Sequence, residues 1–120
     1  MRETKTTNPQ LIELIGSLRK QSKEKNAPIW FDVADYLAKT RSQRVVINLS
    51  NINRNTEKGD IVVVPGKILA SGALDHPVTI AAFEISQPAI AKIEAAKAKY
   101  ITINELMAKN PEGSKVKIIR

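Results

Sequence analysis

Leu11, Ile12, Leu14, Ile15 and Leu18 recur at helical spacing directly after Asn8-Pro9, a capping residue followed by the position at which proline suits a helix start. The pattern predicts a first helix whose last turns, Arg19 to Lys25, are polar and basic, so that cations oppose the negative end of the helix dipole. Asn26-Ala27 is the expected hinge. From Pro28, Ile29, Trp30, Val33, Ala34 and Leu37 repeat at three- and four-residue intervals to about Lys39, which predicts a second helix and, with the first, an N-terminal helical hairpin. Trp30 reads as an anchor in the seam of this hairpin, with an exposed platform for base stacking as the alternative.

The period then changes. Val45 to Leu49 is a short β-branched run with the pattern of a buried strand, and a short third helix is expected near Ser50. Gly59-Asp60 marks a turn into the strand Ile61–Val64. Pro65-Gly66 has the residue order of a type II turn that would return the chain as Lys67, Ile68 and Leu69. After the loop Ala70–His76, Pro77 leads a further strand, Val78–Phe83. Ser86-Gln87-Pro88 is a helix start, with Ala89, Ile90, Ile93 and Ala96 on one face to about Lys97. Tyr100–Ile103 predicts another strand. Thr102 or Asn104 caps a last helix through Leu106 and Met107, which breaks at Asn110-Pro111-Glu112-Gly113 before a terminal strand Lys115–Ile118. The expected class is α/β, with an irregular repeated strand-strand-helix architecture behind the helical hairpin.

A chain of 120 residues has room for a single domain, 1–120, that buries about two-thirds of the surface its unfolded form exposes. No apolar run approaches the ~20 residues of a membrane span, and the first eight residues lack the apolar stretch of a signal peptide; neither export nor membrane insertion is expected. Cysteine is absent, which excludes disulfides, thiolate nucleophiles and Cys-based metal sites, and fits a reducing cytoplasm. Nineteen Lys and Arg face twelve Asp and Glu, net +7, an excess that phosphate backbones commonly neutralise. Residues 1–58 hold eleven of the basic residues against six acids, net +5, whereas 59–120 is only +2. The expectation is a basic, helix-rich, RNA-contacting half followed by a compact α/β half with a few added basic contacts.

Candidate chemistry is thin. Val64-Pro65-Gly66-Lys67 lacks the first glycine of a phosphate loop and places Ile68 where Ser or Thr is required. His76, the only histidine, sits beside Pro77 in a polar loop and reads as a hydrogen-bonding loop residue, with a general base as the alternative. Asp32 and Asp35, three apart on the second helix, read as a solvated polar face, since a hard-cation site needs more oxygen ligands than a helical pair supplies. No catalytic residue, metal or cofactor is expected. The positive signal is a basic cluster: Arg19, Lys20, Lys23 and Lys25 at one helix end, then Arg41 and Arg44 before the first strand. Such a cluster is equally a solvated face. Aromatics make up only 4% of the chain, which argues against stacking single-stranded bases and favours reading folded RNA by shape and backbone.

The run Val45–Arg54, the stretch Gly59–Leu69, and Leu74–Phe83 continuing from Ser86 to Ile93 together resemble the archaeal and eukaryotic large-subunit ribosomal protein eighteen-e family. The likeness joins separated stretches in the correct order over nearly the whole chain. The segment from about Ile61 to Ala96 also resembles the C-terminal domain of bacterial large-subunit ribosomal protein fifteen. Ala70-Ser71-Gly72-Ala73 departs from the more glycine-rich loop common in the family. The resemblance implies a non-enzymatic structural component of the cytoplasmic ribosome of an archaeon, contacting large-subunit ribosomal RNA and neighbouring ribosomal proteins, with no small-molecule substrate. Arg19, Lys20, Lys23, Arg41, Arg44, Arg54 and Lys67 are the residues expected to face RNA. The alternatives are an extra-ribosomal RNA chaperone using the same basic surface, and an RNA-processing factor centred on His76 or an acidic cluster.

Overall fold

In the computed structural model, which describes residues 8–39 and 45–120, Asn8 caps the first helix by accepting from the backbone N–H groups of Gln10 (3.0 Å) and Leu11 (3.3 Å). Helix α1 runs Pro9–Glu24 and α2 runs Pro28–Leu37, with Asn26 at φ 50° making the hinge in the left-handed region that asparagine tolerates. Leu11, Leu14, Ile15 and Leu18 of α1 pack with Trp30, Val33, Ala34 and Leu37 of α2, as the apolar spacing predicts. Trp30 is the anchor. Its ring is fully buried and its indole N–H donates to Pro111 O at 2.8 Å.

The strands are β1 (Val45–Asn48), β2 (Ile61–Leu69), β3 (Thr79–Ile85), β4 (Lys99–Thr102) and β5 (Val116–Ile118), and the remaining helices are α3 (Leu49–Asn55), α4 (Gln87–Ala95) and α5 (Ile103–Lys109). Every described strand pair is parallel, in the order β1-β2-β3-β4, with β5 beside β2. Leu49 and Ile103, expected to end strands, instead begin α3 and α5. Of the two candidate caps, Thr102 is the one used, in a capping box with Glu105.

One expectation fails. Pro65-Gly66 does not turn the chain back; β2 continues through it to Leu69. The pair is instead an irregularity in register, with Val64 opposite Ala82 and Lys67 opposite Glu84, so that two residues of β2 face the single residue Phe83. β1 and β5 take successive halves of the same β2 edge: Ile61–Val63 lie against Val116–Ile118, and Gly66–Leu69 against Val45–Asn48. At the changeover a Cβ on Gly66 would lie 2.0 Å from Val45 O, so only glycine lets β1 approach.

Parallel sheets are buried on both faces, and this one is over most of its width, the exposed row Val46, Lys67 and Glu84 excepted. Val63, Ala81 and Ile101 face the layer formed by α1, α2 and α5. Val62, Val64, Ile80 and Ala82 face the opposite layer, where Leu49 and Ile52 of α3 pack with Ala89 and Ile93 of α4 and with Leu74 and Val78. Among the described residues no helix is long and apolar enough to cross a membrane.

Candidate nucleic-acid interface

Each of α3, α4 and α5 follows the C-terminal end of a strand and runs back toward the end at which the strands begin. Helix α1 runs the same way. Its first turns line a cavity with Ala82 and Thr102 at the strand C-termini, while farther on Gln21 Nε2 donates to Met107 O (3.3 Å) and Pro111 O (3.1 Å), close to the entry into β5. The basic last turns of α1 therefore point to the starting end of the sheet.

The predicted site residues divide by location. Lys20 and Lys23 are exposed on α1, and Lys20 lies 3.9 Å from Glu24 one turn on, an exposed pairing of little energetic weight. Arg19 is half-buried with its Nε shut from solvent, so it is less accessible than its two neighbours in the list. Arg54 is exposed on α3, against the other face of the sheet from α1. Lys67 is exposed on β2 in a row with Val46 and Glu84, its register partners, which puts an acidic residue beside it. Arg41 and Arg44 lie outside the described residues.

His76 is held on both ring nitrogens: Nδ1 is 2.8 Å from Asp75 Oδ1, and Nε2 is 2.8 Å from Thr56 Oγ1. The order carboxylate, imidazole, hydroxyl mimics a hydrolytic triad, but Thr56 is buried and its hydroxyl donates to Ile52 O at 2.7 Å, one turn back in α3. The arrangement fastens the 70–77 loop to the end of α3, and Asn53 adds to it by accepting from Asp75 N at 3.0 Å. The hydrogen bond from His76 holds the Asp75 carboxyl below the usual carboxylate range, against a smaller opposing effect of desolvation. Asp32 is exposed and Asp35 half-buried on α2; among the described residues no group of three or more His, Asp or Glu is placed to hold a metal ion.

Two clefts open at opposite ends of the sheet. The one at the strand C-termini, about 340 Å³, is lined by Gln10, Glu13 and Ser17 of α1 together with Tyr100, Thr102 and Asn104. Burial pushes the Tyr100 hydroxyl up, with Glu105 adding to the effect, so it stays a neutral donor, 3.2 Å from Ala82 O. The cleft at the starting end, about 230 Å³, is lined by Lys58, Gly59, Pro77, Thr79, Lys97 and Lys99. These three lysines are absent from the residues that sequence pattern singles out: they stand at 58, 97 and 99, and only the pairing of β2 with β3 and of β3 with β4 brings them together. Two further cations share one ring, with Lys39 Nζ at 4.8 Å and the Arg120 guanidinium carbon at 5.4 Å from the Tyr36 centroid.

Comparison with known proteins gives a match along the full length. The family described as ribosomal protein 60S L18 and 50S L18e matches residues 1–120. The large ribosomal subunit protein eL18 of Methanococcus maripaludis is 46% identical over 99% of this chain and 99% of its own. The proteins of the same name from Methanoregula boonei and Methanothermobacter thermautotrophicus are 44% and 43% identical, each over 99% of this chain and 98% of theirs. Matched from end to end and at this level of identity, the chain belongs to the family of ribosomal proteins 60S L18 and 50S L18e.

Proposed function

We propose that the chain is a structural constituent of the archaeal large ribosomal subunit, in the cytoplasm, and that it binds and stabilises folded large-subunit ribosomal RNA through basic side chains while touching neighbouring ribosomal proteins. The observation that carries this reading is the 46% identity, over nearly the whole of both chains, to a protein named for the large ribosomal subunit. Membership of that family makes the chain a structural component rather than an enzyme. The net charge of +7 supplies the affinity, because each phosphate neutralised by Lys or Arg releases condensed counterions. The described sheet, with an apolar core packed on each face, supplies a rigid frame that holds those side chains in register.

In this reading residues 1–58 provide the larger share of the RNA contacts, through Arg19, Lys20, Lys23, Arg41, Arg44 and Arg54, and residues 59–120 add Lys67. Sedimentation of a native extract through sucrose, with the protein quantified across the gradient, tests the role. Stoichiometric migration with the large subunit that resists moderate salt is the expected result. Protein left at the top of the gradient would overturn it and favour the chaperone reading. Within the role, Arg41→Ala with Arg44→Ala should lower the salt dependence of RNA binding by about one unit of slope per lost phosphate contact. An unchanged slope would remove both residues from the interface.

A further inference from the structure

The lysine cleft at the starting end of the sheet is built from three segments sewn together by backbone hydrogen bonds. Gly59 N–H donates to Pro77 O (2.8 Å), Thr79 N–H to Asp60 O (2.9 Å), and Lys99 N–H to Val78 O (2.9 Å). The stems of Lys58 and Lys99 thus leave a backbone that is fixed across the chain rather than a free loop.

Among the described residues no acidic side chain lines the cleft. Asp60, next to Gly59, is already engaged: Lys117 Nζ lies 2.8 Å from its Oδ2, and the Glu57 N–H donates to the same oxygen at 2.8 Å. Among the described residues Lys58, Lys97 and Lys99 form no ion pair, so three lysines line one cleft without a described carboxylate paired to any of them.

Lys97 adds an independent observation. It follows α4 at φ 60°, in the left-handed region that glycine takes without a Cβ penalty and that usually holds glycine after a helix end. A lysine there is conformationally costly, and residues held in this region, here Asn26, Lys97 and Lys115, are enriched at functional sites. In this fold Lys97 is one of the residues that line the cleft.

We infer that Lys58, Lys97 and Lys99 form a phosphate-binding cleft that receives a backbone phosphate of folded ribosomal RNA. This rests on the reading of the chain as an RNA-binding ribosomal protein and extends it to an end of the sheet that sequence pattern does not indicate. Thr79 is the uncharged polar residue of the lining, and lysine ammonium groups suit a phosphate oxygen approached from several directions.

The test is filter binding of the full chain to deproteinised large-subunit ribosomal RNA of Methanococcus maripaludis across a salt series. It compares wild type, Lys97→Gly, and Lys58→Gln with Lys99→Gln. Lys97→Gly should melt at or above the wild-type temperature, since glycine relieves the backbone, yet should weaken RNA binding. The double variant should lose about tenfold or more in affinity at low salt and about one unit of salt slope. Wild-type affinity and slope in folded Lys97→Gly and in the double variant would overturn the cleft while leaving the ribosomal reading intact. A wild-type chain that does not bind this RNA would overturn both.

Titration with inorganic phosphate, followed through the backbone amide resonances of Gly59, Thr79 and Lys99, separates the two phosphate sources. Shifts at these amides together with RNA binding unchanged by the variants would assign the cleft to a free anion and overturn the RNA inference. Loss of RNA affinity in the variants is the result expected.

Discussion

The cleft at the strand C-termini and the cleft at the strand N-termini are both shaped by loops that leave the same parallel sheet, but their linings differ in charge. The first is held between α1 and the start of α5, carries Glu13 and no base, and is dominated by amide and hydroxyl groups. The second carries Lys58, Lys97 and Lys99 and, among the described residues, no acid. In open α/β sheets ligands usually settle at the C-terminal ends of the strands, where crossovers diverge. Here the cationic chemistry gathers at the opposite end, the end toward which the basic last turns of α1 also point. The difference teaches that architecture alone does not decide where cationic side chains collect; the register that brings Lys58, Lys97 and Lys99 together does.

The contrast is sharpened by asking what each end owes to structure alone. The largest effect should come from Trp30→Ala, which empties the hairpin seam and removes one of the two donors to Pro111 O, leaving Gln21 Nε2. A loss of about 3–5 kcal/mol is expected from urea unfolding of the pure protein. A loss under about 1 kcal/mol would mean that Trp30 does not anchor the hairpin. At the opposite end, Thr102→Ala removes the capping box of α5, in which Thr102 Oγ1 accepts from Glu105 N at 3.1 Å. It should cost about 1 kcal/mol of stability and leave RNA affinity unchanged. A matching drop in the affinity of the folded variant would show that the polar cleft also meets RNA, and the contrast would fail.

The smallest effect concerns Asp60 and Lys117, the ion pair that ties β5 to the turn before β2. The hydrogen bond from Lys117 holds the Asp60 carboxyl below its ordinary range, and the same bond raises the Lys117 ammonium. A depressed carboxyl contributes stability that is complete above its unfolded-state pKa of about 4 and is lost as pH falls through the folded value. The raised ammonium contributes below its unfolded value of about 10.4 and fades as pH rises through the folded one. Asp60→Asn should therefore flatten the acid limb of a stability-versus-pH curve slightly and leave the slope between pH about 6 and 8 unchanged. An acid limb identical to wild type would show that solvent screens the pair completely.

Much of the element order could be read in the sequence because it is written in local chemistry. Asn8-Pro9, Pro28 and Ser86-Gln87-Pro88 start helices by capping and by proline's fixed φ, and their apolar faces carry the helical period. Pro65-Gly66 misled for an equally physical reason. The dipeptide satisfies a type II turn, but β3 runs along one edge of β2 from Ile61 to Ile68, and tertiary pairing converts the expected turn into a register shift within one strand. The candidate site was legible in part. The run Arg19, Lys20, Lys23 is contiguous and visible, whereas its unequal exposure, with Arg19 half-buried, depends on what α1 packs against.

By itself the sequence determined the hairpin with its anchor, the alternation of strands and helices, the surplus of positive charge, and through ordered motifs the family. These are properties of neighbours in the chain, which short-range sterics, capping and side-chain spacing control. Only the tertiary structure decided that every described strand pair is parallel, that β1 and β5 share one edge of β2, and that Gly66 is required by the approach of Val45. It alone decided that Lys58 stands with Lys97 and Lys99, because residues some forty positions apart meet only through the register of β2, β3 and β4.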